Sequence, residues 1–361
     1  MIVKKTLLTK NEEKVLCGLM MHPEKNDSEL SSELNVKLST LTSIKKRLHD
    51  QEFFRKLNVP MLDRLGCELL AVTYAQFNPV IPLEERVQAT KKTIEVFDEL
   101  VFSVGEQEKG FSVNLSKNYT NIGRINEVRT ETFGRLGLIE KEYPNEAIFP
   151  FETSQIIRFF DFYRVLNKFF SLENPKISKT KNWFNNLKKT EFTDKEKKVY
   201  AAVIEHPEAT TQEIGDLVGL SRHTVSRMKK QFFENDLIRE TTIPNLKKLG
   251  FEILVFYHIK FNPNKAPNEK DISYLDSPST IFLACRKFET LIISAYPTYQ
   301  EYKQDEMDKI RFLKENGLIS HAPFIGTYAF EHMVVIKDFD FAPITKKILG
   351  QKSMMKYNLH K

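Results

Sequence analysis

Residues 210–228 read TTQEIGDLVGLSRHTVSRM. Thr210 or Thr211 can cap a short helix that carries Ile214, Leu217 and Val218. Gly219 supplies the positive φ that a tight turn requires. Ser221 can then cap a further helix, on which Val225, Met228 and Phe232 recur at helical spacing and face a core. Upstream, Thr193 and Glu196 have the spacing of a capping box. They open a first helix whose apolar residues are Val199, Ala202 and Val203, closed ahead of Pro207. Downstream lie Leu237-Ile238 and a β-prone run, Arg239 to Ile243, ending at Pro244. Three short helices, a glycine turn and a trailing β segment spell a winged helix-turn-helix. In such a fold the third helix enters the major groove of double-stranded DNA. Ser221, Arg222, His223, Ser226, Arg227 and Lys230 form its outward face. Arginine pairs with guanine edges and phosphates, lysine with phosphates, and serine with either.

The stretch has a second copy in the same chain. Leu8–Pro79 aligns with Phe192–Pro263 at a constant offset of 184 residues, without a gap. Thr9/Thr193, Glu12/Glu196, His22/His206, Pro23/Pro207, Pro60/Pro244 and Gly66/Gly250 are identical, as is the run Phe77-Asn78-Pro79 against Phe261-Asn262-Pro263. Weaker matches continue to Phe160-Asp161-Phe162 against Phe339-Asp340-Phe341. A period this long means one or two whole domains per copy. In the first copy (copy A), Asn35 stands for the turn glycine and tolerates the left-handed conformation. Leu41, Ile44 and Leu48 point inward, and Lys37, Ser39, Thr42, Ser43 and Lys46 point outward. Copy A should fold like copy B, and either read a different base sequence or chiefly hold phosphates.

After Pro60, a strand-like run Leu69–Phe77 precedes a helical segment 83–100, strands 101–106 and 111–116, a helix near 121–136 and strands around Ile148 and 156–160. The order βαββαβ is ferredoxin-like. Copy B keeps the strands Thr280–Cys285 and Thr290–Ala295 and the helix Tyr299–Glu315. Its segment 264–278, which holds Pro267 and Pro278, reads as a loop in place of the first helix. The expected fold class is therefore α+β. The domains are a winged helix at 1–60, a ferredoxin-like domain at 61–171, a basic linker at 172–191, a second winged helix at 192–244 and a second ferredoxin-like domain at 245–361. The linker carries five lysines against two glutamates. It also holds Trp183, expected to pack on a neighbouring domain.

Gly219-Leu220-Ser221, Thr224-Val225, Leu237-Ile238 and Leu249-Gly250 ahead of an apolar strand give the unit a resemblance to the Lrp/AsnC (feast/famine) regulators. The resemblance runs through nearly the whole chain, twice. It implies a transcriptional regulator whose α/β domain self-associates and takes amino acids or related small effectors. It also implies two recognition helices about 34 Å apart, one turn of DNA, here fused into one polypeptide with the α/β domains as a pseudo-dimer. Two departures stand out. Family members carry one unit per chain. Their effector loop tends to have a glycine and an aspartate before the third strand; copy A has Gly105 and Gly110 without the aspartate, and copy B has neither. This argues against amino-acid sensing at that loop, more so in copy B.

Siroheme decarboxylases look like the same family and supply the enzymatic alternative, for which His258, His321 and His332 would be the residues to inspect. The histidine- and tryptophan-containing runs expected of that group are missing. A winged-helix scaffold for protein partners is a third reading, opposed by the basic face of Arg222, Arg227 and Lys230. No phosphate-loop, dinucleotide, zinc-protease or serine-hydrolase motif is present, so no cofactor, metal or catalytic residue is expected. Cys17, Cys67 and Cys285 are far apart and read as buried reduced thiols. The net charge of +6 and pI near 8.9 suit nucleic acid without proving it. No apolar run reaches about 18 residues, and the first ten residues lack a signal-peptide core, so a cytoplasmic protein is expected. His22 and His206 read as helix C-terminal residues.

Overall fold

The computed structural model describes residues 8–94, 97–139, 143–172, 182–186 and 188–351. Half of the basic linker, 173–181 and 187, and the tail 352–361 lie outside the described residues. Copy A runs α1 (Lys10–Met21), α2 (Asp27–Glu33), α3 (Leu38–Asp50), β1 (Phe54–Pro60), β2 (Leu69–Gln76), α4 (Leu83–Ile94), β3 (Leu100–Gly105), β4 (Lys109–Ser116), α5 (Tyr119–Arg135), β5 (Asn145–Pro150), β6 (Gln155–Phe159) and α6 (Tyr163–Phe169). Copy B repeats this with α7 (Asp194–Glu205), α8 (Thr211–Val218), α9 (Arg222–Glu234), β7 (Ile238–Pro244), a short α10 (Leu246–Leu249), β8 (Ile253–Lys260), α11 (Glu269–Leu275), β9 (Thr280–Arg286), β10 (Glu289–Tyr296), α12 (Tyr299–Glu315), β11 (Phe324–Ala329), β12 (Val334–Lys337) and α13 (Ala342–Ile348). The described residues form an α+β fold: two helix-turn-helix domains, two five-stranded antiparallel sheets and a two-stranded β1-β7 sheet. No helix among the described residues is long and apolar enough to cross a membrane.

The sheets carry the ferredoxin-like strand orders β5-β2-β4-β3 and β11-β8-β10-β9, and each gains a fifth strand from the other copy. Strand β6 of copy A pairs with β9 of copy B, from Gln155↔Cys285 to Phe159↔Phe282. Strand β12 of copy B pairs with β3 of copy A, with Val334 opposite Gly105. Each added strand covers an edge that would otherwise present open backbone groups. Its own helix then follows it: α6 packs on α1 and α13 packs on α7. The compact units accordingly interleave the copies. Unit 1 is Met1–Leu57, Ser154–Trp183 and Glu240–Glu331; unit 2 is Asn58–Thr153, Phe184–Arg239 and His332–Lys361. Each winged helix thus belongs to the unit that holds the other copy's sheet, whereas the sequence suggested units in chain order.

The β segment after each third helix likewise finds its partner in the other copy, because β1 and β7 pair with each other. Within unit 1 the Asn245 N–H donates to Phe53 O at 2.8 Å, and within unit 2 the Met61 N–H donates to Leu237 O at 2.9 Å. The segment read as a loop in copy B contains α11. Asn268 caps it by accepting from Lys270 N and Asp271 N, and Asp271 returns the bond, so Pro267 and Pro278 flank the helix and do not interrupt it. Trp183 packs as expected: its N–H donates to Ile156 O at 2.9 Å, and its ring lies 5.4 Å from that of Phe159. All three cysteines are free and buried. Burial pushes the thiols up, to about 12 for Cys17 and about 11 for Cys285, far from the reactive thiolate range.

Candidate nucleic-acid interface

Local sequence fixes the helices of copy B's winged domain. Thr193 with Glu196 and Thr210 with Glu213 form reciprocal capping boxes at the starts of α7 and α8. Helix α8 ends at Gly219 in the left-handed conformation, φ +70°. A Cβ built on Gly215 would stand 2.7 Å from Leu220 O, while the Leu220 N–H donates to Gly215 O at 3.0 Å. This second turn glycine had no signal in the sequence, since it sits inside a helical pattern. Ser221 caps α9, its Oγ accepting from Thr224 N at 3.3 Å. Val225, Met228 and Phe232 are all buried, as their spacing predicts.

The opposite face of α9 is Arg222, His223, Ser226, Arg227 and Lys230, which with Ser221 are all exposed. Their spacing sets two adjacent rows along one side of the helix. Among the described residues no carboxylate lies within ion-pair distance of Arg222 or Arg227, and Lys230 has only an exposed pair with Glu234 at 3.6 Å. Such a pair is worth little. The nearby Arg239 is held by Asp236, with Nε donating to Oδ1 and Nη2 to Oδ2, both at 2.8 Å. The two guanidinium groups of α9 therefore remain available for a planar acceptor such as a guanine edge or a phosphate.

Copy A builds the same scaffold with a different face. Its turn residue Asn35 is left-handed at φ +47°. Leu41, Ile44 and Leu48 are buried, and Lys37 provides no side-chain cap. Lys37, Ser39, Thr42, Ser43 and Lys46 are exposed, but Thr42 Oγ1 donates to Asp27 Oδ2 at 3.2 Å. Lys45 pairs with the same Asp27, and Arg47 pairs with Glu12 at 2.6 Å. At the repeat offset, Leu38, 48% exposed, stands where copy B has Arg222, and Ser43 where it has Arg227. The two copies thus share a fold and differ in what they can hold. The natural exchange at the turn also sets an expectation for copy B. Gly219→Asn should be nearly neutral, whereas Gly219→Val should cost about 1–2 kcal/mol in urea unfolding, because a β-branched side chain strains a left-handed position.

The histidines raised by the enzymatic alternative occupy unlike environments. His258 is buried on β8, with Nε2 2.6 Å from Glu289 Oε1, and Arg286 also pairs with Glu289. His321 is exposed beside Ser320 Oγ at 3.0 Å, and His332 is exposed in a turn. His22 and His206 cap α1 and α7 at their C-terminal ends. Among the described residues no group of three or more His, Cys, Asp or Glu could hold a metal ion. Burial pushes the Glu289 carboxyl up, but His258 and Arg286 outweigh it and leave it below the usual carboxylate range. Its stabilising contribution is complete above the unfolded carboxylate value and is lost as pH falls through the lower folded value. Unfolding followed from pH 6 down to about pH 3 should show this loss beginning below about pH 4.5, and Glu289→Gln should flatten that part of the profile.

A chain with two winged helices and two strand-exchanged ferredoxin-like sheets belongs to the tandem helix-turn-helix architectures. The family model described as the sugar-specific transcriptional regulator TrmB matches residues 187–251, which span copy B's winged domain. No curated protein matches the sequence. Among solved structures, the siroheme decarboxylase NirDL is similar over 94% of this chain and 99% of that one, with 10% identity and a TM-score of 0.52. At that identity the likeness establishes a shared tandem fold. E. coli AsnC is matched over 39% of this chain and 92% of its own, with 13% identity and a TM-score of 0.30.

Proposed function

We propose that the chain is a DNA-binding transcriptional regulator of the cytoplasm, with α9 as its principal reading helix. The observation that carries this is the exposed face of α9, where Arg222 and Arg227 have no acidic partner among the described residues while the inward face and the cap hold the helix in place. The regulator-family match over 187–251 supports it. Copy A supplies a second, weaker face, contributing backbone contacts through Lys46. The bound site should accordingly be asymmetric; a strictly palindromic site would mean that pairing occurs between chains or that copy A does not touch bases. The direct test is a titration on a mixed-sequence duplex at about 50 and 200 mM salt, where each phosphate contact steepens the log–log dependence by about 0.9. Affinity that ignores salt would oppose the proposal.

The shared fold with NirDL keeps a tetrapyrrole enzyme as the alternative to test. On the regulator reading, adding iron-uroporphyrin to the purified protein leaves the pigment's absorption unchanged. A saturable spectral shift would favour the enzyme. A scaffold role would instead survive Arg222→Ala/Arg227→Ala intact.

A further inference from the structure

The sheet of unit 2 carries a buried polar row. Ser103, Ser112 and Thr73 stand opposite one another on β3, β4 and β2, and Glu146 continues the row on β5. The three hydroxyl residues are 4–5% exposed. Arg129 reaches this row from α5. It is 3% exposed. Its Nη1 donates to Ser112 Oγ at 3.1 Å, and its Nη2 has no hydrogen-bond partner among the described residues. Arg86 of α4, 1% exposed, lines the same cavity with its guanidinium 4.3 Å above the Phe77 ring. Gly105 makes room for it, since a Cβ there would lie 3.3 Å from Arg86 Nη2. The cavity is otherwise walled by Phe111, Phe133 and Ile336.

Copy B shows that the fold does not require this arrangement. The matching row there is Leu283, Ile292, Tyr257 and Ile325, all packed in one hydrophobic cluster. The counterpart of Arg129 is Lys309, which pairs with Asp305 on its own helix and donates to Ser277 Oγ at 3.0 Å. Copy B fills the space and neutralises its cation. Copy A keeps Arg129 with an open donor beside one carboxylate, Glu146, which already accepts from Asn126 Nδ2. A buried cation with an open donor is costly unless something pairs with it. Burial pulls the Arg129 guanidinium down to about 10, against the pull of Glu146.

We propose that this cavity binds a small organic carboxylate with a short apolar tail. Arg129 Nη2 donates to the carboxylate, and the phenylalanine walls take the tail. The open guanidinium donor and the apolar walls suit a simple carboxylate, and Asn126 already occupies Glu146 Oε1. The inference is independent of the DNA reading.

Calorimetric titration of the full chain with isovalerate and with phenylacetate tests it. Expected is saturable binding of at least one of the two, one per chain, with no binding of isovaleramide. Arg129→Met should weaken that binding at least about tenfold, the value of a charge-assisted hydrogen bond. It should leave the ligand-free melting midpoint unchanged or raise it, because an incompletely paired buried charge is removed. Should that variant fail to fold, Ser103→Leu, which installs copy B's residue, blocks the cavity with both arginines intact and should abolish binding. Absence of heat with both acids at about 10 mM, equal binding of the amide, or unchanged binding in the variants would overturn the proposal.

Discussion

Asp276→Ala should destabilise unit 1 by about 3–5 kcal/mol, the usual cost of leaving a buried charge without its partner. Asp276 is the hub of a clamp on the exchanged strand. Arg158 of β6 donates from Nε to Oδ1 at 2.6 Å and from Nη2 to Oδ2 at 2.8 Å. Arg164 of α6 adds a bond to Oδ2 and another to the Asp276 carbonyl, both at 2.8 Å. The Arg158 side chain is 4% exposed and that of Asp276 14%, so the substitution leaves Arg158 largely shielded from water. Asp161 remains on Arg158 at 2.8 Å and limits the loss. Because both arginines come from copy A and the aspartate from copy B, the variant should loosen β6 and α6 first. Urea denaturation followed by circular dichroism gives the total, and hydrogen exchange along β6 gives its location. A loss below about 1 kcal/mol, the level of a surface pair, would show that the clamp does not hold the strand.

Arg222→Ala combined with Arg227→Ala should cost about 2–5 kcal/mol of DNA affinity, since an arginine on a base edge or phosphate contributes about 1–3 kcal/mol. That is a loss of at least about thirtyfold. Both side chains are exposed and neither packs into the core, so the unfolding midpoint should stay within about 0.5 kcal/mol of wild type. The salt slope should fall by about one for each phosphate contact removed. Fluorescence anisotropy on a selected duplex reads all three quantities. Lys46→Ala in copy A should cost less than about tenfold, as a single phosphate contact would.

Much of α9 was legible because its signals are local. Ser221, Gly219 and the period of Val225, Met228 and Phe232 act within a few residues of one another, and each landed where its chemistry requires. What escaped the sequence depends on distant partners. The apolar stretch around Ile156–Phe159 reads as a strand, but its partner β9 lies more than a hundred residues away and leaves no mark on it. The same holds for copy A's basic face, where Asp27 and Glu12 reach α3 from other helices and take up Lys45, Thr42 and Arg47. Nothing in the sequence singles out Arg86 or Arg129, and only the fold turns them onto a sheet. Helix α11 was missed because two prolines looked like breakers, when the Asn268–Asp271 cap starts the helix just after the first of them.

Selection from a randomised duplex library, with wild type beside Arg222→Ala/Arg227→Ala at low and moderate salt, tests DNA reading by α9 most directly. An enriched, asymmetric consensus that disappears with the double substitution is the expected result. No enrichment at either salt, or the same consensus recovered by the variant, would contradict it.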